Sequence, residues 1–318
     1  RKVGLSLGVA TMLGTELGLI TMMYNAQTGF RDLFAAFHIG LFALAITMLI
    51  GVTGLVVVKL RDLRVKSIPE YYQIRFGNKV RIVGAIILVV GGILNMGLFL
   101  KVGAIFIQSV FSIPEGDLVL SIIMIVLLLM VLVYTILGGM ISVIITDFIQ
   151  FVVLSLGMIL SVAFSIYHLG WTNIFTQVEL LSLNPDLIYN PIQSRGGFYI
   201  TWQVVLGFVS AVIWPTAITR ALSLDSSETV RKQYMWSSAS FLIRFIVPCF
   251  LGICAYVYFN GYTPDSSWEK LSMMPKYLSE ILPVGILGIV VAAMIAAFMS
   301  THDSYLLCWS TIITNDII

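Results

Sequence analysis

The amino-acid sequence predicts an all-α protein that crosses a membrane several times. Of its 318 residues, 59% are hydrophobic and only 11% charged, whereas a soluble domain is about half apolar and about a quarter charged. Eight apolar runs stand between short polar breaks, near residues 4–25, 33–58, 82–112, 117–137, 140–167, 200–221, 235–259 and 282–312; a bilayer-spanning helix needs about 20 such residues. The runs are too long for strands and lack the alternation of a β-barrel.

The same composition excludes other classes. A formal net charge of +2, with no basic stripe interleaved with aromatics, argues against a nucleic-acid partner. Cys249, Cys254 and Cys308 all lie inside apolar runs without paired metal-ligand spacing, so they read as packing residues. The chain opens on Arg1 and stops at Ile318 beside its last apolar run, which is expected of a fragment of a longer protein forming one transmembrane domain.

Taken in order, the first run carries Gly4, Gly8, Gly14 and Gly18, and the sixth carries Gly207 and Pro215. Interrupted hydrophobic segments in corresponding positions point to a transporter binding site, because unwound backbone frees carbonyls; glycines also simply let membrane helices pack closely, and both readings stand. If the first and sixth helices correspond, the unit is five helices. The first repeat then covers about 1–168, and about 200–318 is an incomplete second. Between the second and third runs, Lys59 to Arg81 also carries Arg61, Arg64, Lys66, Arg75 and Lys79 against Asp62 and Glu70, which places this connection in the cytoplasm. Alternation then puts the 168–199 and 260–281 loops outside, where only Arg195, Lys270 and Lys276 are basic.

Within the eighth run, Ala297, Ser300, Thr301 and Ser304 fall at i, i+3, i+4 and i+7, a stripe of hydroxyls on one helix face. Such hydroxyls either bond back to their own helix or offer oxygens to a hard cation, completed by carbonyls around Gly14 and Leu17. Glu16, Asp147 and Asp303 are carboxylates within apolar runs, where an ionised group is costly and a functional role is the default. Asp147 and Ser304 both lie toward the cytoplasm, as a second cation site or as part of a structural ion pair. Lys101 and Arg244 are explained by reaching an interface. His38 and Asn95 either contact a polar solute or bond to neighbouring helices. His302 and Asp303 are adjacent, hence about 100° apart on a helix, and no G-x-S-x-G or H-E-x-x-H motif suggests an enzyme.

Four stretches resemble the sodium/solute symporter family, whose members carry proline, galactose, glucose and iodide. Ser67-Ile-Pro-Glu-Tyr-Tyr-Gln-Ile-Arg-Phe-Gly77 is similar to its PEY…RFG stretch, and Gly138-Gly-Met through Thr146-Asp147-Phe-Ile-Gln150 to its GG…TDxxQ stretch. Pro215 to Leu222 looks like its sixth-helix end, and Ala296-Ala-Phe-Met-Ser-Thr-His-Asp-Ser304 like its AAxMSTxDS signature, the most specific of the set. The resemblance covers nearly the whole chain and implies a LeuT-type inverted-repeat fold and symport with sodium across the cell membrane. It implies a principal sodium site of the Gly14, Leu17 and Ala297 carbonyls with the Ser300 and Thr301 hydroxyls, and a second of Asp147, Asp303 and Ser304. The solute would lie among the first, second, third and sixth helices. Asn95 matches a sugar-contacting asparagine of the galactose branch, which makes a sugar or polyol the expected solute, while Thr21, His38 and Ser210 stand where that branch has other contacts. The rival reading is a transporter-like sensory module joined to a signalling domain.

Overall fold

The computed structural model describes residues 5–182 and 184–318, the side chains of residues 6, 7, 10, 11, 13, 15, 134 and 137–148 excepted. Every regular element among the described residues is helical. The first apolar run forms two helices, α1 (Leu5–Glu16) and α2 (Leu19–Asp32), interrupted at Leu17 and Gly18. A 3₁₀ turn, Leu33–Phe37, leads into α3 (His38–Thr53). That helix stops at Gly54, whose φ of 71° is the left-handed conformation glycine adopts without steric cost.

The basic connection folds into two short helices, α4 (Val57–Asp62) and α5 (Ile68–Phe76). The start of α5 is written in Ser67-Ile-Pro-Glu70. Ser67 Oγ accepts from the Glu70 amide at 3.1 Å, Glu70 Oε2 accepts from the Lys66 amide at 2.5 Å, and Pro69 occupies the first turn, where it forfeits no helical hydrogen bond. The third run is α6 (Asn78–Val110).

The fourth and fifth runs, expected as two spans, lie on one helix, α7 (Asp117–Leu169). Gly138 and Gly139 stand between them, but glycine alone only weakens a helix, by about 1 kcal/mol, and no proline forces a stop. At 1.5 Å per residue α7 is about 80 Å long, the length of both expected spans together. The outer connection forms α8 (Trp171–Leu181), α9 (Asp186–Tyr189) and α10 (Pro191–Arg195). The sixth run is again interrupted, as α11 (Gly197–Ile213) and α12 (Pro215–Leu222), bent by 40°. Pro215 has no N–H to continue the ladder of α11, so the helix breaks at Trp214. The chain ends with α13 (Ser227–Tyr258), α14 (Ser267–Ile281) and α15 (Val284–Ile312), followed by one π turn.

Among the described residues, five helical stretches are long and apolar enough to cross a membrane, six if α11 and α12 count as one. One of the five, Leu19–Thr53, joins the end of the first run to the second, and of α7 the stretch Ile149–Leu169 is the one that qualifies. The connection from 260 to 281, expected as an outer loop, contains the amphipathic α14, whose Met273, Met274, Tyr277 and Leu278 are buried. It is tied to α2 by Gln27 Nε2, which donates to Ser267 O at 2.6 Å. Lys101 reaches the same helix, with Nζ 4.0 Å from the Trp268 ring centroid, consistent with an outward-reaching stem.

The helices sort into two groups. On one side α13 packs along α2 and α3; on the other α15 packs along α7, with α6 beside both. α1 touches both groups, meeting α12 and α13 as well as α7 and α15. Within the first group, Gly29 and Gly252 bring two backbones together. A Cβ on Gly29 would fall on the carbonyl of Cys249, and one on Gly252 on the carbonyl of Ala26. Only glycine at both positions permits this approach of α2 to α13.

Candidate functional site

The interruption of the first span is the centre of the site. A helix that ends at Glu16 leaves its last carbonyls without intrahelical donors. Gly18 is extended, with φ −88° and ψ 161°, and its carbonyl starts the new helix by accepting from Met22 N at 3.2 Å. It is a glycine because α15 is so near: an added Cβ would collide with Thr301 Oγ1.

Of the residues expected to hold sodium, Ser300 meets Gly14 across the two helices. Ser300 Oγ lies 3.4 Å from the Gly14 carbonyl, Thr301 Oγ1 donates back within its own helix to the Ala297 carbonyl at 2.9 Å, and Leu17 is buried in the core. The spacing suits a cation. Oxygens held at about 2.3–2.6 Å from calcium, an ion of nearly sodium's size, stand about 3.3–3.7 Å apart at right angles. A separation of 3.4 Å is long for a hydroxyl hydrogen bond but right for two ligands of one ion. All the donors are uncharged oxygens, which suit a hard cation.

The residues expected to form a second cation site are placed only in part. Asp303 and Ser304 are buried on α15, and Ser304 Oγ accepts from Arg220 Nη2 at 2.8 Å. The Asp147 side chain lies outside the described residues. His302, next to Asp303, turns away from it and bonds through Nδ1 to Phe298 O at 2.9 Å, as expected of neighbours on a helix.

On the other face of the interruption lies a cavity of about 380 Å³, within the usual range for small-molecule pockets. Thr21, Asn95 and Ser210 line it, as expected, and Phe42, Phe99 and Trp214 contribute aromatic surface. His38 does not line it. Its Nδ1 lies 2.5 Å from Ala35 O and its ring packs on Phe42. Ile39, Phe42, Ala43, Ile46 and Thr47 face the cavity at i, i+3, i+4, i+7 and i+8, and His38, four residues before Phe42, stands at the edge of that stripe, where Phe42 and the Ala35 carbonyl take up its ring.

Arg244 is not at an interface. It lines the cavity beside Glu16, with Nη1 3.0 Å from Glu16 Oε2 and Nη2 3.2 Å from Thr21 Oγ1. Thr216 Oγ1 stands 3.4 Å from the other Glu16 oxygen. Thr47 and Gln203 complete the polar wall. A half-buried arginine facing a half-buried carboxylate is the signal that pairs these residues, since each offsets the other's charge in a poorly solvated wall.

Comparison with known proteins follows the same lines. A model of the sodium:solute symporter family matches residues 2–318. The chain is 25% identical over 279 residues to the sodium/glucose cotransporter of Vibrio parahaemolyticus and 26% identical over 286 residues to sodium/myo-inositol cotransporter 2 of Mus musculus. Those alignments take in 79% and 80% of this chain but 50% and 42% of the relatives, so the chain spans about half the length of the curated relatives or less. A high-affinity proline transporter of Bacillus subtilis is 26% identical over 199 residues, 59% of this chain and 39% of that protein. Among solved structures, a sodium-coupled sialic acid symporter in a substrate-bound outward-open state superimposes with a TM-score of 0.83 at 19% identity, over 99% of this chain and 67% of that one.

Proposed function

Because the chain belongs to the sodium:solute symporter family, whose fold it shares, we propose that it is the transport core of a sodium-coupled importer of a small polar solute in the cell membrane. The family is one of transporters, not enzymes, and the protein is a multi-pass membrane protein. A sugar or polyol is the solute the cavity favours: Asn95, Thr21, Ser210 and Gln203 offer hydrogen bonds to hydroxyls, and aromatic rings offer a face to C–H surface. Similarity to glucose and myo-inositol cotransporters supports the same class.

The observation that carries the reading is the meeting of Gly14 and Gly18 with Ser300 and Thr301. Sodium is a co-substrate here, held by the Gly14, Leu17 and Ala297 carbonyls and the Ser300 and Thr301 hydroxyls. The ion links the interrupted first span to α15, one from each side of the molecule. It drives transport only by binding the outward-facing state more tightly than the inward-facing one. The interruptions at Leu17–Gly18 and at Trp214 are the matching joints of two five-helix repeats, the second incomplete over residues 200–318. Asp147, Asp303 and Ser304 are the place for a second sodium, where the ion would share Ser304 with Arg220.

The test is uptake of labelled glucose and myo-inositol into proteoliposomes holding the full-length protein, with inward sodium or potassium gradients. Ser300→Ala and Thr301→Ala each raise the half-saturating sodium concentration at least about tenfold, the loss of one ligand. Unchanged sodium dependence in both variants would overturn the assignment.

A further inference from the structure

The oxygens gathered at the proposed sodium position carry no formal charge. A cation moved there leaves water for a medium of lower dielectric, so a neighbouring carboxylate strongly affects how tightly it is held. Glu16 is joined to Leu17 and stands two residues from Gly14, on the last turn of α1. Its charge is already engaged: Arg244 is 3.0 Å away, and the two side chains are only 11% and 15% exposed. Arg244 also lines the solute cavity, its guanidinium carbon 5.0 Å and 5.1 Å from the ring centroids of Phe241 and Phe245. One carboxylate thus stands against a resident cation and, in sequence, beside the proposed place of a transient one.

Resting on the sodium-symport reading above, we infer that the Glu16–Arg244 pair couples ion to solute. Without sodium, Arg244 neutralises Glu16. Sodium draws on the same carboxylate, the hold on Arg244 weakens, and the guanidinium turns its donors toward solute oxygens in the cavity. Solute binding in turn leaves Glu16 to the ion, so each ligand raises the affinity of the other by the same factor. Two hydroxyls ease the exchange, Thr216 beside one Glu16 oxygen and Thr21 beside Arg244 Nη2, so neither charge is left bare as the pair loosens. The solute suited to this device presents lone pairs, hydroxyl or carbonyl, to a guanidinium.

The decisive measurement is sodium-dependent thermal stabilisation of the purified full-length protein, titrated with sodium chloride against a choline chloride control, without solute. Glu16→Gln raises the half-saturating sodium concentration about tenfold, whereas Arg244→Met lowers it several-fold, because a competing cation has been removed. The double variant, with both charges gone, returns to within about threefold of the wild type. Opposite signs separate coupling from structural damage, which would weaken sodium binding in both single variants. Shifts of the same sign, or no shift, overturn the inference. A wild type with no sodium-dependent stabilisation defeats the symport reading itself, so the two failures are distinct.

Discussion

The two faces of the interruption at Leu17–Gly18 handle positive charge in opposite ways. Toward α15 the chain gathers neutral carbonyls and hydroxyls, 3.4 Å apart at Gly14 and Ser300. Toward α13 it sets a complete ion pair, Glu16 with Arg244 at 3.0 Å. Neutral donors hold a cation weakly enough to release it, since affinity of such sites follows the number of ligand charges. A carboxylate–guanidinium pair in a poorly solvated wall keeps both charges matched, so one partner lets go only when another charge or donor takes its place. One face therefore gathers neutral oxygens and the other a matched pair of charges, and both adjoin a single two-residue gap in a helix.

The sharpest way to break this comparison is Gly18→Ala. The new methyl collides with Thr301 Oγ1, forces the α15 face apart and leaves Glu16 and Arg244 in place. Sodium-driven uptake is expected to fall about a hundredfold or more, roughly 2.7 kcal/mol, with protein yield and monodispersity in detergent near those of the wild type. Asn95→Ala probes the cavity without touching either charged group. It raises the solute KM about tenfold, the loss of one buried hydrogen bond, and shifts half-saturating sodium at saturating solute less than about twofold. The mildest variant is Thr216→Val, which removes a contact of 3.4 Å to Glu16. At that length little energy is lost, so sodium titration of uptake should move by about twofold to threefold. Were Thr216→Val to equal Gly18→Ala, the two faces would not be separable.

How much of this was legible depended on sequence distance. Ala297, Ser300 and Thr301 declare a common face by spacing, but spacing alone leaves their hydroxyls between bonding to their own helix and facing a cation; the resemblance of Ala296 to Ser304 to a family signature, not periodicity, points to the carbonyls around Gly14. Glu16 and Arg244 are 228 residues apart. No periodicity links them, and depth along α13 placed Arg244 at an interface when the cavity held it. His38 was drawn into the solute site by its chemistry; it stands at the edge of the lining stripe, and only its local contacts with Ala35 and Phe42 turn it from the cavity. The joining of the fourth and fifth runs into α7 was hidden for another reason: paired glycines look like a break, yet cost a helix little.

The glycine contacts of α2 with α13 bear on how the molecule moves. With Gly29 seated against Cys249 and Gly252 against Ala26, neither helix slides past the other without unseating both contacts, so the two swing as a single lever arm. The fulcrum left to the first span is the gap beneath them, at Leu17 and Gly18. A tilt of α13 would therefore carry α2 with it and bear on the backbone at Gly18, beside Thr301.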